Sequence, residues 1–340
     1  VHEPAMSLVL GIESSCDEMA AAVVDPRARR VLSSVVASQH EAHRPFGGVV
    51  PELASRQHLK DAGWVCADAL KEAGVGLKDL AGVAATCGPG LAGSLLVGLG
   101  FAKGLAYFAG LPFLGVNHLE GHLLAAFLEH PGLDFPFVGL VVSGGHSSLY
   151  LAEARGRQRL LASTRDDAAG EAFDKVAKML GLGYPGGPAV QRAAEACSGP
   201  GVSFPRAGMK DHSLDFSFSG LKTAVLWHIK ACRERGSEPD ASAVAKGFQA
   251  AATEALIRNT LKACASEGCT RVVLGGGVAA NARLRQALGE RCKEAGIQLY
   301  CPSIPLCMDN AAMIAYAGGL RLLDGERSSF DLSVSPSLGF

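Results

Sequence analysis

The sequence predicts an α/β protein of two lobes. Apolar runs of strand length alternate with longer runs of helix length along the chain. An apolar hairpin with a small polar tip occurs near the start of each half, as if one unit were used twice. The 340 residues also exceed what one compact core holds comfortably. Hydrophobic residues make up 48% and charged residues 19%, enough to bury a large interior and too apolar for a disordered chain.

The first hairpin is predicted from Leu8–Ile12, a tip Glu13-Ser14-Ser15-Cys16-Asp17-Glu18, and a returning run Met19–Val24. Pro51–Ala73 reads as a helix with His58, Asp61 and Asp68 at polar positions. Residues 80–102 carry no charge and are long enough for a membrane span. Cys87-Gly88-Pro89-Gly90 breaks that run, so a buried strand (82–86), a turn and a tightly packed helix (91–109) are expected, with no membrane. A strand at 112–116 and a helix from Asn117 through Glu129 follow. The second hairpin is Pro136–Val142, the tip Ser143-Gly144-Gly145-His146, and Ser147–Ala152. Helices are then expected at 170–180, 241–267, 281–295 and 309–323, with strands at 271–274 and 297–301. Alternation of this kind implies sheets covered on both faces.

Composition narrows the function. The net charge is −1 and the pI about 6.8. A stand-alone nucleic-acid binder carries a basic excess, so any RNA affinity here comes from a local patch or a partner. The ten cysteines include no C-x-x-C pair and no secretory signal opens the chain, which points to reduced thiols and the cytoplasm. Val1–Ser7 reads as an irregular lead-in.

Several motifs carry chemistry. His118 and His122 lie at i and i+4 in N-H-L-E-G-H, a spacing that suits two imidazoles on one metal and equally two ordinary helix histidines. The zinc-protease pattern H-E-x-x-H is absent. Asp309 in C-M-D-N is the best third ligand, or else a plain helix N-cap. The tip Val141–His146 leaves a buried strand with two glycines, and Gly275-Gly276-Gly277 precedes the helix at Asn281. Both suit backbone N–H groups closing on phosphate, although glycine turns after strands are common and no G-K-[ST] is present. Asp166-Asp167 and the acids that follow read as a solvated helix start, or as acceptors for ribose hydroxyls beside the turn 183–188.

Nine motifs in order resemble one family. They are G-I-E-S-S-C-D-E (11–18), G-P-G-L (88–91), N-H-L-E-G-H (117–122), V-S-G-G-H (142–146), D-D-A-A-G-E-A-F-D-K (166–175), Y-P-G-G-P (184–188), D-F-S-F-S-G-L-K-T (215–223), G-G-V-A-A-N (276–281) and C-M-D-N-A-A-M-I-A (307–315). Together they resemble the bacterial TsaD family, formerly described as O-sialoglycoprotein endopeptidases. The resemblance implies an actin/Hsp70/sugar-kinase-like (ASKHA) fold with duplicated, hairpin-containing α/β lobes and nucleotide held between them. The lobes are expected at 7–130, completed by 311–340, and at 131–310.

The implied activity is transfer of threonylcarbamoyl from threonylcarbamoyl-adenylate to the exocyclic amine of adenosine 37, in tRNAs reading ANN codons, with release of AMP. The resemblance implies His118, His122 and Asp309 as ligands of one divalent metal, iron or zinc. It sets the adenine nucleotide against Val141, Val142, Ser143, Gly144, Gly145, His146, Asp174, Gly187 and Asn281. Asp17 and Glu18 match acidic positions, one of them expected to take the amine proton. Met308 replaces a frequent Thr, and Gln191 stands where an acid is frequent, which weakens one ribose contact. The implied partners are the tRNA anticodon loop, a TsaB-like paralogue on the first lobe and a TsaE-like ATPase. Arg44, Arg56, Lys60, Arg206, Lys210 and Lys222 are candidate RNA contacts or solvated charges. The competing readings are a nucleotide-hydrolysing protein of the same fold, with no use for the His pair, and a non-catalytic scaffold of a modification complex.

Overall fold

The computed structural model describes residues 7–205 and 213–340. Arg206, Lys210 and most of the lead-in lie outside these. The chain divides into two compact units: unit 1 runs up to Leu133 and includes Pro302–Phe340, and unit 2 is Asp134–Cys301. Residues 302–310, grouped by the sequence reading with the second lobe, lie in unit 1. There the Ser303 N–H donates to Glu129 Oε2 at 2.6 Å, and Asp309 reaches the histidines of N-H-L-E-G-H.

Unit 1 is built on β1 (Val9–Glu13), β2 (Glu18–Asp25), β3 (Arg30–Ser38), β4 (Gly82–Gly88) and β5 (Phe113–Asn117), in the order β3-β2-β1-β4-β5. The first three form an antiparallel meander, and β1, β4 and β5 run parallel. The sequence reading missed β3, an edge strand whose half-exposed residues blur the apolar alternation. A one-turn helix α1 (His40–His43) leads to α2 (Pro51–Ala73). Pro51 opens α2, where a missing N–H costs nothing, and Gly74 closes it in the left-handed region. His58 and Asp61 are buried on α2, contrary to the polar positions expected, because each has a specific partner; Asp68 is exposed.

Helix α3 (Ala92–Ala109) follows the Gly-Pro-Gly turn and packs against α2. It has the length and hydropathy of a membrane span, yet only 33% of it is buried. The tight packing expected holds for one face; Leu96, Tyr107 and Phe108 on the other are exposed. Helix α4 (His118–Leu124) is shorter than predicted and passes into a 3-10 turn at Ala125–Leu128.

Unit 2 repeats the plan. Its strands β6 (Phe137–Val142), β7 (Ser147–Ala154), β8 (Arg157–Ser163), β9 (Arg271–Gly275) and β10 (Gln298–Tyr300) lie in the order β10-β9-β6-β7-β8. Numbered within each unit, both sheets read third-second-first-fourth-fifth, with the same pattern of antiparallel and parallel pairs. The helices are α5 (Ala169–Met179), α6 (Gly186–Glu195), α7 (Ser219–Glu234), α8 (Ala241–Glu267) and α9 (Ala282–Glu294). Gly186-Gly187-Pro188, expected as a rigid turn, instead opens α6, whose first-turn N–H groups need no intrahelical partner. Asp240 caps α8 by accepting from the N–H groups of Ser242 and Ala243.

The chain returns to unit 1 through α10 (Ile304–Cys307) and α11 (Ala311–Leu323). Leu10 and Ile12 of β1 pack with residues of α2 and α3, whereas α11 covers the other face of the sheet. The approach of α11 is close enough that a Cβ at Gly11 would lie 2.3 Å from the Ala311 carbonyl oxygen. Strands covered on both faces read as continuous apolar runs, and β1 and β4 are buried throughout.

Candidate functional site

Unit 1 gathers a set of metal-binding donors at the start of α4. Asn117 caps this helix, its Oδ1 accepting from Leu119 N at 2.8 Å, and its Nδ2 donates to the Gly339 carbonyl. That fixes the first turn and sets the His118 and His122 rings edge to face, with centroids 4.6 Å apart. Asp309 Oδ1 lies 3.1 Å from His122 Nε2 and 3.6 Å from His118 Nε2. The three ligand atoms all fall within 4.8 Å of one another. Asp309 is not the N-cap of α11; Asn310 takes that role, accepting from Met313 N at 3.0 Å, and leaves the Asp309 carboxylate for the histidines.

A second layer orients His118. Its Nδ1 lies 3.0 Å from Glu13 Oε2 and 3.2 Å from Ser15 Oγ. Thr86 Oγ1 donates to the same Glu13 oxygen at 2.5 Å, and the Ser15 N–H donates to the other. Glu13 is fully buried. A carboxylate on the far nitrogen of an imidazole points the near nitrogen at a metal and raises its basicity. Burial opposes ionisation of Glu13, but the His118 charge and hydrogen bonds from His118 and Thr86 hold its carboxyl below the usual range. Burial likewise disfavours the His118 cation, yet Glu13 and Asp309 together push His118 up to about 9. Burial lowers His122, which stays neutral at physiological pH. Two imidazole nitrogens and one carboxylate, one imidazole backed by an ionised acid, fit a divalent transition metal such as iron or zinc.

The β1–β2 tip is held by a chain of side chains that the sequence reading missed. The Val50 N–H donates to His43 Nδ1, and His43 Nε2 lies 3.3 Å from Gln39 Oε1. Gln39 Nε2 reaches His58 Nδ1 at 3.0 Å, and His58 Nε2 reaches the Cys16 carbonyl at 2.9 Å. Each link has a donor facing an acceptor, so the chain fixes the histidine tautomers and clamps the tip from α2. Asp17 and Glu18 sit buried beyond Cys16. Burial pushes Glu18 up to about 7; His40 pulls it down while Asp17 and Asp309 add to the rise. Burial and the neighbouring Asp17 push the Cys16 thiol well up, which removes it as a nucleophile.

Unit 2 holds the glycine tip. Val141 and Val142 are buried in β6, while Gly144 and Gly145 are exposed. The Ser143 N–H donates to the His146 carbonyl at 2.7 Å, and the His146 N–H donates back to Ser143 Oγ. The first turn of α5 leans on the tip through Gly170 N–H to Ser143 O at 3.1 Å. A Cβ at Gly144 or Gly145 would meet nothing within 4 Å, so the fold itself does not demand glycine there. Gly276 differs: its φ is +88° and a Cβ would lie 2.3 Å from the Val142 carbonyl oxygen.

Other predicted contacts are engaged within the fold. Asp174 Oδ1 accepts the Gly186 N–H at 2.7 Å and so fixes the start of α6, near Gly187. A 3-10 turn, Gly277–Ala280, separates β9 from α9, so the three glycines do not lead straight into that helix. Asn281 caps α9 through Leu284 N, and its Nδ2 donates to Gln249. Gln191 accepts the Ala282 N–H. Asp166 accepts from Ser217, Phe218 and Ser219 at the head of α7, and Asp167 pairs with Lys175 and Lys222. These two acids build unit 2, and Lys222 is already ion-paired. Arg44 and Arg56 pair with Glu41 and Glu52 on exposed helix turns. Lys60 is exposed.

Comparison with known proteins fixes the lineage. A family model described as TsaD, tRNA N6-adenosine threonylcarbamoyltransferase, matches residues 30–316. A protein of that name from Geobacter sp. (strain M21) is 54% identical over 97% of this chain and 95% of its own length. One from Desulfitobacterium hafniense (strain Y51) is 51% identical over 97% and 96%. Among solved structures, component A of the Acidaminococcus fermentans (R)-2-hydroxyglutaryl-CoA dehydratase aligns with a TM-score of 0.55, at 13% identity over 93% of this chain and 99% of that one. Full-length HypF in its phosphate- and nucleotide-bound form aligns at 0.61, with 15% identity over 93% of this chain and 55% of that one. These likenesses establish the fold as the ASKHA type, and the sequence matches establish the rest: the chain belongs to the TsaD family of tRNA N6-adenosine threonylcarbamoyltransferases.

Proposed function

We propose that this chain transfers a threonylcarbamoyl group from threonylcarbamoyl-adenylate to the N6 amine of adenosine 37 in tRNAs reading ANN codons, releasing AMP. The observation that carries this reading is the convergence of His118, His122 and Asp309 in a chain of this family, with Glu13 locked behind His118. A nucleotide hydrolase or a scaffold has no need of such a donor set.

His118, His122 and Asp309 would hold the metal, iron or zinc, and Glu13, hydrogen-bonded to His118 Nδ1, would leave the His118 Nε2 for it. Lewis acidity toward the carbamoyl group of the donor is what a bound divalent metal supplies here. Unit 2 takes the adenylate at Val141–His146, with Asp174, Gly187 and Asn281 shaping the surrounding helix starts. Ser143 N–H is committed to His146, so the Gly144 and Gly145 N–H groups remain for the phosphate. Glu18 or Asp17 accepts the amine proton; a carboxyl poised near neutrality suits that work.

The near-neutral chain draws its tRNA affinity from partners, in the cytoplasm. A TsaB-like paralogue covers the apolar groove between α2 and α3, lined by Leu59, Ala62, Leu96, Val97, Gly100 and Phe101. A TsaE-like ATPase serves the assembled complex. The test is incubation of the complex with the donor and tRNA, followed by nucleoside analysis. Appearance of threonylcarbamoyladenosine supports the reading; donor hydrolysis without modified nucleoside defeats it.

A further inference from the structure

The β1–β2 tip carries a second donor set that the triad does not use. Asp17, Glu18 and His40 each offer a ligand atom, and these atoms lie within 4.8 Å of one another. His40 Nε2 is 3.2 Å from Glu18 Oε1 and 4.0 Å from Asp17 Oδ2. Asp17 is 5% exposed, and its Oδ2 has no hydrogen-bond partner among the described residues although it faces His40. A buried carboxylate oxygen without a partner costs free energy, and a neighbouring buried carboxylate adds repulsion. The charge of Asp309 is felt at Glu18 as well. One imidazole offers at most a single positive charge against this group.

We propose that Asp17, Glu18 and His40 form a second divalent-cation site, separate from His118, His122 and Asp309. Two carboxylates and one imidazole suit Mn2+, Fe2+ or Zn2+, whereas an all-oxygen set would favour Mg2+ or Ca2+. The arrangement is built into the fold. Gln39, the link between His43 and His58, donates its backbone N–H to the Asp17 carbonyl at 3.2 Å and directly precedes His40. The His40 side chain is 36% exposed, which gives an ion a route from solvent. The site shares Asp17 and Glu18 with the proposed proton acceptor, but cation binding is measured without the transfer reaction, so the two readings can fail separately.

The test is Mn2+ titration of the chelator-stripped full chain, read by the loss of free-ion signal in electron paramagnetic resonance. The expected result is that His40→Ala removes one equivalent of bound Mn2+ while His118→Ala leaves that equivalent in place. Asp17→Asn, nearly isosteric, repeats the loss, and thermal melts confirm that each variant is folded. An Mn2+ stoichiometry that does not fall in folded His40→Ala and Asp17→Asn overturns the proposal.

Discussion

The two hairpin tips occupy the same topological place in sheets of identical strand order, and they could hardly differ more in chemistry. The β1–β2 tip packs Glu13, Ser15, Asp17 and Glu18 into buried positions and ties them through Gln39, His43 and His58. The β6–β7 tip is short, and its two glycines are exposed. One scaffold thus presents charged side chains at one copy and bare backbone at the other. Function lives in what is grafted on the shared strand plan. Substitutions at the first tip should therefore act through charge and ligation, and at the second through space and backbone.

The largest expected effect is loss of the metal. His118→Ala or Asp309→Ala removes a ligand, and metal affinity should fall by more than the roughly 100-fold that marks the upper end for supporting residues. Metal analysis of the purified variants, with melting curves near wild type, checks this. Full occupancy in either variant would mean the triad is misassigned.

Glu13→Gln comes next. It keeps the shape behind His118 but removes the charge, so metal affinity should fall about 10–100-fold. An unchanged affinity would show that Glu13 serves the fold alone.

Metal affinity should also depend on pH. Without metal, His118 holds its proton up to about pH 9, because Glu13 and Asp309 outweigh its burial. Metal binding requires the free Nε2 lone pair and expels that proton. Affinity should therefore rise with pH up to about 9 and fall about tenfold for each unit below it. His122, already lowered by burial, adds no slope there. Competition titrations at several pH values measure the slope, and a flat profile would show that His118 is neutral in the metal-free protein.

A pair of glycines sharpens the contrast at the second tip. Gly276→Ala forces a side chain into a positive-φ position against the Val142 carbonyl and should cost about 1–3 kcal/mol of stability. Gly144→Ala points into open space and should change stability by no more than about 0.5 kcal/mol. Gly144→Val, bulkier at the same point, should still fold but bind the adenylate more weakly. Calorimetry and melting curves separate the two roles, and unchanged donor affinity would make the loop structural.

What the sequence made legible follows from how local the signal is. The His118/His122 spacing, the helix at 51–73 and the helix at 241–267 are set by residues close in the chain, and the structure keeps them. The partnership of His118 with Glu13 spans 105 positions and leaves no periodic trace. The burial of His58 depends on Gln39 and Cys16, so its polar character suggested the wrong face. Asp166 and Lys222 were open to a functional reading until their partners, Ser219 and Asp167, took them up. Helix α6 reads as a turn in the sequence because Gly186-Gly187-Pro188 opens it, and α7 (Ser219–Glu234) is not assigned from the sequence.

The buried triad of unit 1 is proposed to serve threonylcarbamoyl transfer. The most direct measurement is nucleoside analysis of tRNA treated with the donor and the assembled complex, comparing metal-loaded wild type with Asp309→Ala. Wild type should form threonylcarbamoyladenosine, and Asp309→Ala should form none above background while keeping its fold. Modification by Asp309→Ala at the wild-type rate would contradict the account.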